Sequence, residues 1–381
     1  MEKIVLRQPR KLVFGNGCFS EFVIDVLSLD YKKIFFITAP EIVPLFQNNI
    51  DSLKEKGVHV EINDSITSEP SIEMLQNVLD SARAYSPECI VGIGGGSALD
   101  VAKLVAALAH NPQKIEDVFG IGLLKNRETP LICLPTTAGT GSEVSPNAIL
   151  FDPSDQLKKG VVSPYLIADA AYVDPLLTMT VPPAVTAATG LDALTHCIEA
   201  YTNKFAHPII DLYALEGVRL IGKNLERAVK SGKDAHAREN MALASLYGGL
   251  CLGPVNTAAV HALAYPLGGE FHIAHGISNA VLLPYIMDFN LQEQPKKYAN
   301  IALALGVPPA SSTLETAHLG VEKIRQLAAS CDVPLKLSIL GIPQDALERM
   351  ADSAMTVTRL LKNNPREMTR DDALHIYQQA F

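Results

Sequence analysis

The sequence has no tryptophan among its 381 residues, so intrinsic fluorescence rests on 11 tyrosines. Charge is scarce too. Asp, Glu, Lys and Arg make up 19%, below the usual level of about 25%. Hydrophobic residues reach 48%, and mean hydropathy is +0.16. This balance excludes a disordered chain, a collagen and a small disulfide scaffold. It predicts a large core, with further surface buried between subunits. A basic excess is missing, since 32 Lys and Arg face 41 Asp and Glu for a net charge of −9. A nucleic-acid binder would show a basic face or arm. Charge runs are absent beyond short pairs such as Lys158-Lys159. No CxxC pair occurs among the six cysteines, Cys18, Cys89, Cys133, Cys197, Cys251 and Cys331. Most lie in apolar surroundings such as Leu131-Ile132-Cys133-Leu134 and read as buried free thiols of a reducing cytoplasm. Residues 1–10 lack the apolar core of a signal peptide.

The longest uncharged stretch, 240–269, has no Asp, Glu, Lys or Arg. Its length would admit a membrane span. Pro254, Asn256, Thr257, His261, Pro266 and five glycines interrupt it. It reads as two buried helices meeting at a bend, with no membrane contact.

What is present falls into two halves. At roughly 150 residues per domain, the length predicts two or three domains. Strand-like runs at 33–38, 58–62, 89–93 and 130–134 alternate with helical periods at 42–56, 71–85 and 97–110. That alternation predicts a parallel sheet with helices on both faces. After residue 174 the texture becomes helical, with segments at 184–203, 208–231, 235–252, 257–267, 314–329, 343–354 and 370–380. Pro182-Pro183 suits a helix start and a domain joint. The expected domains are 1–180, α/β, and 181–381, all-α.

Two loops carry chemistry in the first half. Gly92-Ile93-Gly94-Gly95-Gly96-Ser97 joins a buried strand to a helix, where backbone N–H groups and the helix dipole favour a phosphate. Its spacing is neither GxGxxG nor GxxxxGK[ST], and a glycine run can also be only a tight turn. Ser97 is expected as the N-cap, with Asp100 at N3. Pro135-Thr136-Thr137-Ala138-Gly139-Thr140-Gly141-Ser142 follows the next strand. Two such loops at neighbouring strand ends would line a dinucleotide crevice.

In the second half, Asp192 and His196 are four residues apart and share one helix face. His261 and His275 lie in or beside the uncharged stretch, and His272 is a further candidate. A buried Asp needs a cation or hydrogen bonds. One carboxylate and three imidazoles suit Fe²⁺ or Zn²⁺, which spacing alone does not separate.

Together these residues resemble the iron-containing (group III) alcohol dehydrogenase family, of the lactaldehyde reductase and 1,3-propanediol dehydrogenase type. The resemblance runs through Gly94-Gly95-Gly96-Ser97 with Asp100 and Lys103. It continues in the Pro135–Ser142 loop with Glu143, in Gly190-Leu191-Asp192-Ala193-Leu194-Thr195-His196, and in His261, His275-Gly276 and Asn364-Pro365-Arg366. It implies a Rossmann-like parallel-sheet dinucleotide-binding domain, a C-terminal helical metal-binding domain, and a homodimer or higher homo-oligomer. It implies Asp192, His196, His261 and His275 as ligands of Fe²⁺, Zn²⁺ or another divalent metal. Gly95, Gly96, Ser97, Asp100, Thr136, Thr137, Thr140 and Lys158 would hold NAD or NADP.

Two positions depart from the family pattern. Tyr265 stands where many members carry a second histidine assigned to proton relay. Thr38-Ala39-Pro40 stands where NAD-preferring members place an aspartate against the ribose, so NADP is not repelled. The expected reaction is hydride transfer between NAD(P)(H) and a small alcohol or aldehyde, with His272 as preferred relay and Tyr265 as the other candidate. Glycerol dehydrogenase, maleylacetate reductase and dehydroquinate synthase relatives are the alternatives. The last needs several Lys or Arg for a phosphorylated acid, and the helices around the ligands are nearly uncharged.

Overall fold

The computed structural model describes residues 3–154 and 157–381. Two compact units emerge. One comprises 7–137 and 141–179, and the other 180–381 with 138–140 and residues 3–6.

The first unit is α/β. Its elements are β1 (Lys11–Phe14), α1 (Phe19–Ser28), β2 (Lys33–Ile37), α2 (Val43–Glu55), β3 (His59–Asn63), α3 (Ile72–Tyr85), β4 (Cys89–Gly94), α4 (Gly96–Leu108), β5 (Gly120–Ile121), β6 (Leu131–Pro135), β7 (Asn147–Asp152), β8 (Leu157–Val162) and β9 (Ala170–Val173). Six strands form a sheet in the order β1-β9-β6-β4-β2-β3, with every pairing parallel. The apolar runs of β2, β4 and β6 are buried along almost their whole length, as strands covered on both faces must be. A second sheet, β5-β8-β7, and the short strands β1 and β9 complete the unit. None of these five was expected. β1, β5 and β9 are too short for a period to show and pair with strands distant in sequence. β7 and β8 are six-residue neighbours paired antiparallel, and the sequence reading missed them although burial alternates along β7.

The strand order reverses between β2 and β4, since β2 continues outward to β3 and β4 continues the other way to β6. The carboxyl ends of β2 and β4 therefore flank a switch point, where open α/β sheets place ligands. Thr38-Ala39-Pro40 follows one strand and Gly95-Gly96-Ser97 the other.

The glycine loop corrects one expectation. The N-cap of α4 is Gly95, not Ser97, and no side chain caps the helix. Gly94 adopts φ +153°, and a Cβ there would meet Ala98 Cβ at 2.8 Å. The chain thus turns from strand to helix within one residue, which puts Ser97 inside the first turn. Asp100 does not close a capping box. It accepts from Ser142 Oγ and, at 2.9 Å, from the Ile149 N–H.

Lys103 on α4 is wholly buried. Its Nζ donates to Ser142 Oγ (2.8 Å), Ser145 Oγ (3.2 Å) and the Asn147 carbonyl (2.7 Å), with Asp100 at 3.7 Å. Burial opposes the charge on both members of this pair, and their mutual attraction offsets it.

The second unit is helical: α5 (Pro183–Thr202), α6 (Pro208–Lys230), α7 (Ala235–Leu252), α8 (Ala259–Phe271), α9 (His275–Asn290), α10 (Pro295–Ala304), α11 (Thr313–Ser330), α12 (Leu347–Met355), α13 (Thr358–Leu361) and α14 (Arg370–Ala380). Pro182 is the N-cap of α5 and Pro183 its first residue, where the missing N–H costs nothing. The uncharged stretch resolves into the end of α7 and nearly all of α8, broken near Gly253-Pro254. Helices α9, α10 and α13 were not expected. Apolar residues surround α9 on all sides and Pro284 lies within it, so no amphipathic stripe marks it. No helix among the described residues is long and apolar enough to cross a membrane. All six cysteines are buried and unpaired.

Glu143 is 2% exposed. Burial pushes its carboxyl from 4.5 up to about 7, against the lowering by its own backbone N–H and by Lys103. The folded protein therefore holds a proton that the unfolded chain releases between those values. The stability this group contributes is complete below 4.5 and is lost as pH rises to about 7, a difference of roughly 3 kcal/mol. Glu143→Gln should raise the melting temperature at about pH 8 and leave it nearly unchanged at about pH 4. The same pH dependence in variant and parent would refute this account.

Candidate metal centre

Three helices supply the expected ligands. α5 carries Asp192 and His196 one turn apart, α8 carries His261, and α9 begins with His275. Close approach of α9 to α5 requires glycine at position 276, because a Cβ there would stand 2.2 Å from the Ala188 carbonyl oxygen. His275 is thereby held against the helix that bears Asp192.

The donor atoms of Asp192, His261 and His275 lie within 4.8 Å of one another. Asp192 Oδ1 stands 3.7 Å from His261 Nε2, 3.7 Å from His275 Nε2 and 3.9 Å from His196 Nε2. Tetrahedral N/O ligands at ordinary bond lengths are spaced roughly 3.4 Å apart. Asp192, His261 and His275 therefore fit a divalent ion after a small inward closure, and His196, the fourth expected ligand, stands beside Asp192 but outside that close group. The His196 and His261 rings stack at 4.8 Å, and His275 lies 5.2 Å from His261.

Burial by itself pushes the Asp192 carboxyl up. The imidazoles of His196, His275 and His261 and the Asn279 amide overcome it and hold the carboxyl below its usual range. Burial pushes the His196 imidazole down, with Asp192 opposing. A neutral imidazole offers the lone pair that ligation needs.

Two residues that the sequence analysis did not single out complete the centre. Glu199, three residues beyond His196 on α5, accepts from the Val260 N–H at 2.6 Å and pairs with His261 Nδ1 at 2.6 Å. A carboxylate that accepts the hydrogen of Nδ1 leaves the Nε2 lone pair for a ligand, so this contact suits the ligating tautomer of His261. Asn279, one turn beyond His275, donates from Nδ2 to Asp192 Oδ1 at 2.7 Å. The available signal was spacing: Glu199 is seven residues from Asp192 and Asn279 four from His275, each on its partner's helix face.

The remaining candidates are placed as follows. Tyr265 is buried on α8 one turn after His261. His272 is the exposed C-cap of α8, with φ 55° and its N–H on the Leu267 carbonyl. Gly96 and Ser97 open α4, after Gly95 at its N-cap. A Cβ on Gly95 would lie 3.5 Å from the Thr137 side chain, and the Thr136 N–H donates to the Gly94 carbonyl at 2.9 Å, so these two loops touch. Thr136 Oγ1 is buried with no hydrogen-bond partner among the described residues. Thr140 belongs to the segment that packs with the helical unit. Lys158 on β8 pairs with Glu69.

Comparison with known proteins agrees with this geometry. Residues 9–175 match the family model described as iron-containing alcohol dehydrogenase, and 186–381 match that of the Fe-containing alcohol dehydrogenase family, C-terminal. The chain is 41% identical to long-chain-alcohol dehydrogenase 1 of Geobacillus thermodenitrificans, over 96% of this chain and 94% of that protein. It is 35% identical to 1,3-propanediol dehydrogenase of Citrobacter freundii, over 98% and 97%. The solved structure of a 1,3-propanediol oxidoreductase superposes with a TM-score of 0.96 at 33% identity, covering all of both chains. The chain belongs to the iron-containing alcohol dehydrogenase family.

Proposed function

We propose that this protein interconverts a small, uncharged alcohol and its aldehyde, using a divalent metal, iron in the first instance, and NAD or NADP. The observation that carries the reading is the convergence of Asp192 Oδ1 with the Nε2 atoms of His261, His275 and His196 inside apolar helices. When bound, the metal supplies Lewis acidity toward a substrate oxygen, and the nicotinamide supplies or accepts the hydride.

The chain's own residues do the rest. Asp192 contributes a single negative charge, so a divalent ion on this set keeps net positive charge. Glu199 fixes the orientation of His261. The uncapped N-terminus of α4 offers its N–H groups and dipole to a pyrophosphate. Thr136 and Thr137 extend that surface, and Ala39 places no carboxylate against a ribose 2′-phosphate. His272, exposed at the turn between α8 and α9, serves as proton relay to solvent. The buried Tyr265 hydroxyl is the weaker candidate because a phenol gives up its proton only at high pH. Buried free thiols support a reducing, cytoplasmic setting, and a homodimer is the assembly we expect in size-exclusion chromatography.

The relatives' names span long-chain alcohols, sulfoacetaldehyde and 1,3-propanediol, so the assay must be a panel. Metal-reconstituted protein with NADH or NADPH should oxidise the cofactor in the presence of short aldehydes, followed by reduced-nicotinamide absorbance. No oxidation with any aldehyde would overturn the reading. His261→Ala should lose bound metal and activity together, and retention of both would refute the ligand assignment. Glu199→Gln keeps the shape and removes the charge that orients His261. It should weaken metal binding by about 10–100-fold in a chelator competition, and unchanged affinity would exclude that role. His272→Ala should lower kcat and alter its pH profile, whereas an unchanged profile would sink the relay.

A further inference from the structure

Asn279 is wholly buried on α9. Its Nδ2 stands 2.7 Å from Asp192 Oδ1, 3.1 Å from His261 Nε2 and 3.3 Å from His275 Nε2. These are three of the four donor atoms of the metal centre. The amide therefore covers the face of the ligand set formed by Asp192, His261 and His275. Asp192 settles which end of the amide points inward. Its ionised carboxylate only accepts, so the NH₂ end of Asn279 must face it, and the same nitrogen lies within reach of His261 Nε2 and His275 Nε2. The cost lies at the other end: Asn279 Oδ1 is buried with no hydrogen-bond partner among the described residues. An unsatisfied buried carbonyl is destabilising.

A cation on these four donors reverses the preference. N–H groups aimed at a divalent ion are repelled by it, while an amide oxygen is a good ligand for a hard or borderline cation. The terminal torsion of asparagine is broad and roughly two-fold, so the amide can turn over without moving the helix. We propose that Asn279 is a two-state gate on this face. Its Nδ2 holds the ligand set together by hydrogen bonds, and on metal binding the amide rotates so that Oδ1 becomes an additional, weak metal ligand. Substrate is thereby confined to the remaining faces of the centre. The inference rests on the metal-binding reading above.

The test uses chelator-stripped full-length protein titrated with Co²⁺, read by its visible d–d absorption and by thermal unfolding with and without Co²⁺. Asn279→Asp places a carboxylate where Oδ1 would bind. It should bind Co²⁺ roughly tenfold more tightly than the parent and melt at a lower temperature without Co²⁺, because two carboxylates then face each other. If Asn279 only supports Asp192 by donating Nδ2–H in both states, the same variant binds Co²⁺ more weakly, and that result overturns the proposal. Asn279→Leu keeps the branching at Cγ and removes the oxygen. It should retain Co²⁺ with a more intense d–d band, as the coordination number falls, and an unchanged band also overturns the proposal. A variant Asn279→Asp that folds only with Co²⁺ supports it. If it folds in neither condition, the Asn279→Leu band decides. Failure of the parent itself to bind Co²⁺ refutes the metal reading, separately from the role of Asn279.

Discussion

The helical unit is organised around the burial of one ionised carboxylate. Asp192 is 2% exposed, and a buried charge of that kind is costly unless it is surrounded by compensating groups. The structure gathers those groups from three helices. His196 comes from its own helix α5, His261 from α8, and His275 with Asn279 from α9. Each must arrive at a set distance, which explains features that look like defects in isolation. Gly276 lets two helix backbones nearly touch, and the left-handed turn at His272 redirects the chain from α8 to α9. The arrangement that makes Asp192 tolerable also gathers three imidazole nitrogens within 3.9 Å of one carboxylate oxygen. Stability and chemistry are therefore served by the same contacts.

A second buried charge shows a different solution. Lys103 in the α/β unit has a carboxylate at 3.7 Å, but its shorter hydrogen bonds go to two hydroxyls and a carbonyl. All three come from residues 142–147, so Lys103 fastens that segment to α4. Asp100 does the same through Ser142 and Ile149. Neither is placed to cap α4, since an ammonium has no acceptor and Asp100 lies five residues past the N-cap Gly95. The first N–H groups of the helix stay available at the switch point of the sheet, and an anion-binding terminus needs that freedom.

How much of this was legible in the sequence depends on the range of each contact. The alternation of apolar strands and helical periods over 33–134 reports local burial, and β2, β4 and β6 were readable because both faces of each are covered. The four-residue strands β1 and β9 and the two-residue β5 carry too little pattern of their own. Helix α9 escaped detection because it is apolar all round, although it bears His275. Asp192, His196, His261 and His275 stood out because imidazoles and a carboxylate are conspicuous in nearly uncharged helices. Glu199 and Asn279 did not, since a Glu or an Asn on a helix is unremarked until its partner is known.

The sequence by itself determined the class of the fold, the kinds of donor atom present and the helices that carry most of them, because period and composition are local properties. Only the tertiary structure decided that Asp192 Oδ1 stands within 3.9 Å of three imidazole nitrogens. It also decided that Glu199 pairs with His261 Nδ1, that Gly95 rather than Ser97 is the N-cap of α4, and that Asn279 lies across one face of the ligand set. Each is a matter of tenths of an ångström between residues up to 87 positions apart. No periodicity in a chain encodes such distances. Packing sets them, and they exist once the helices are in contact.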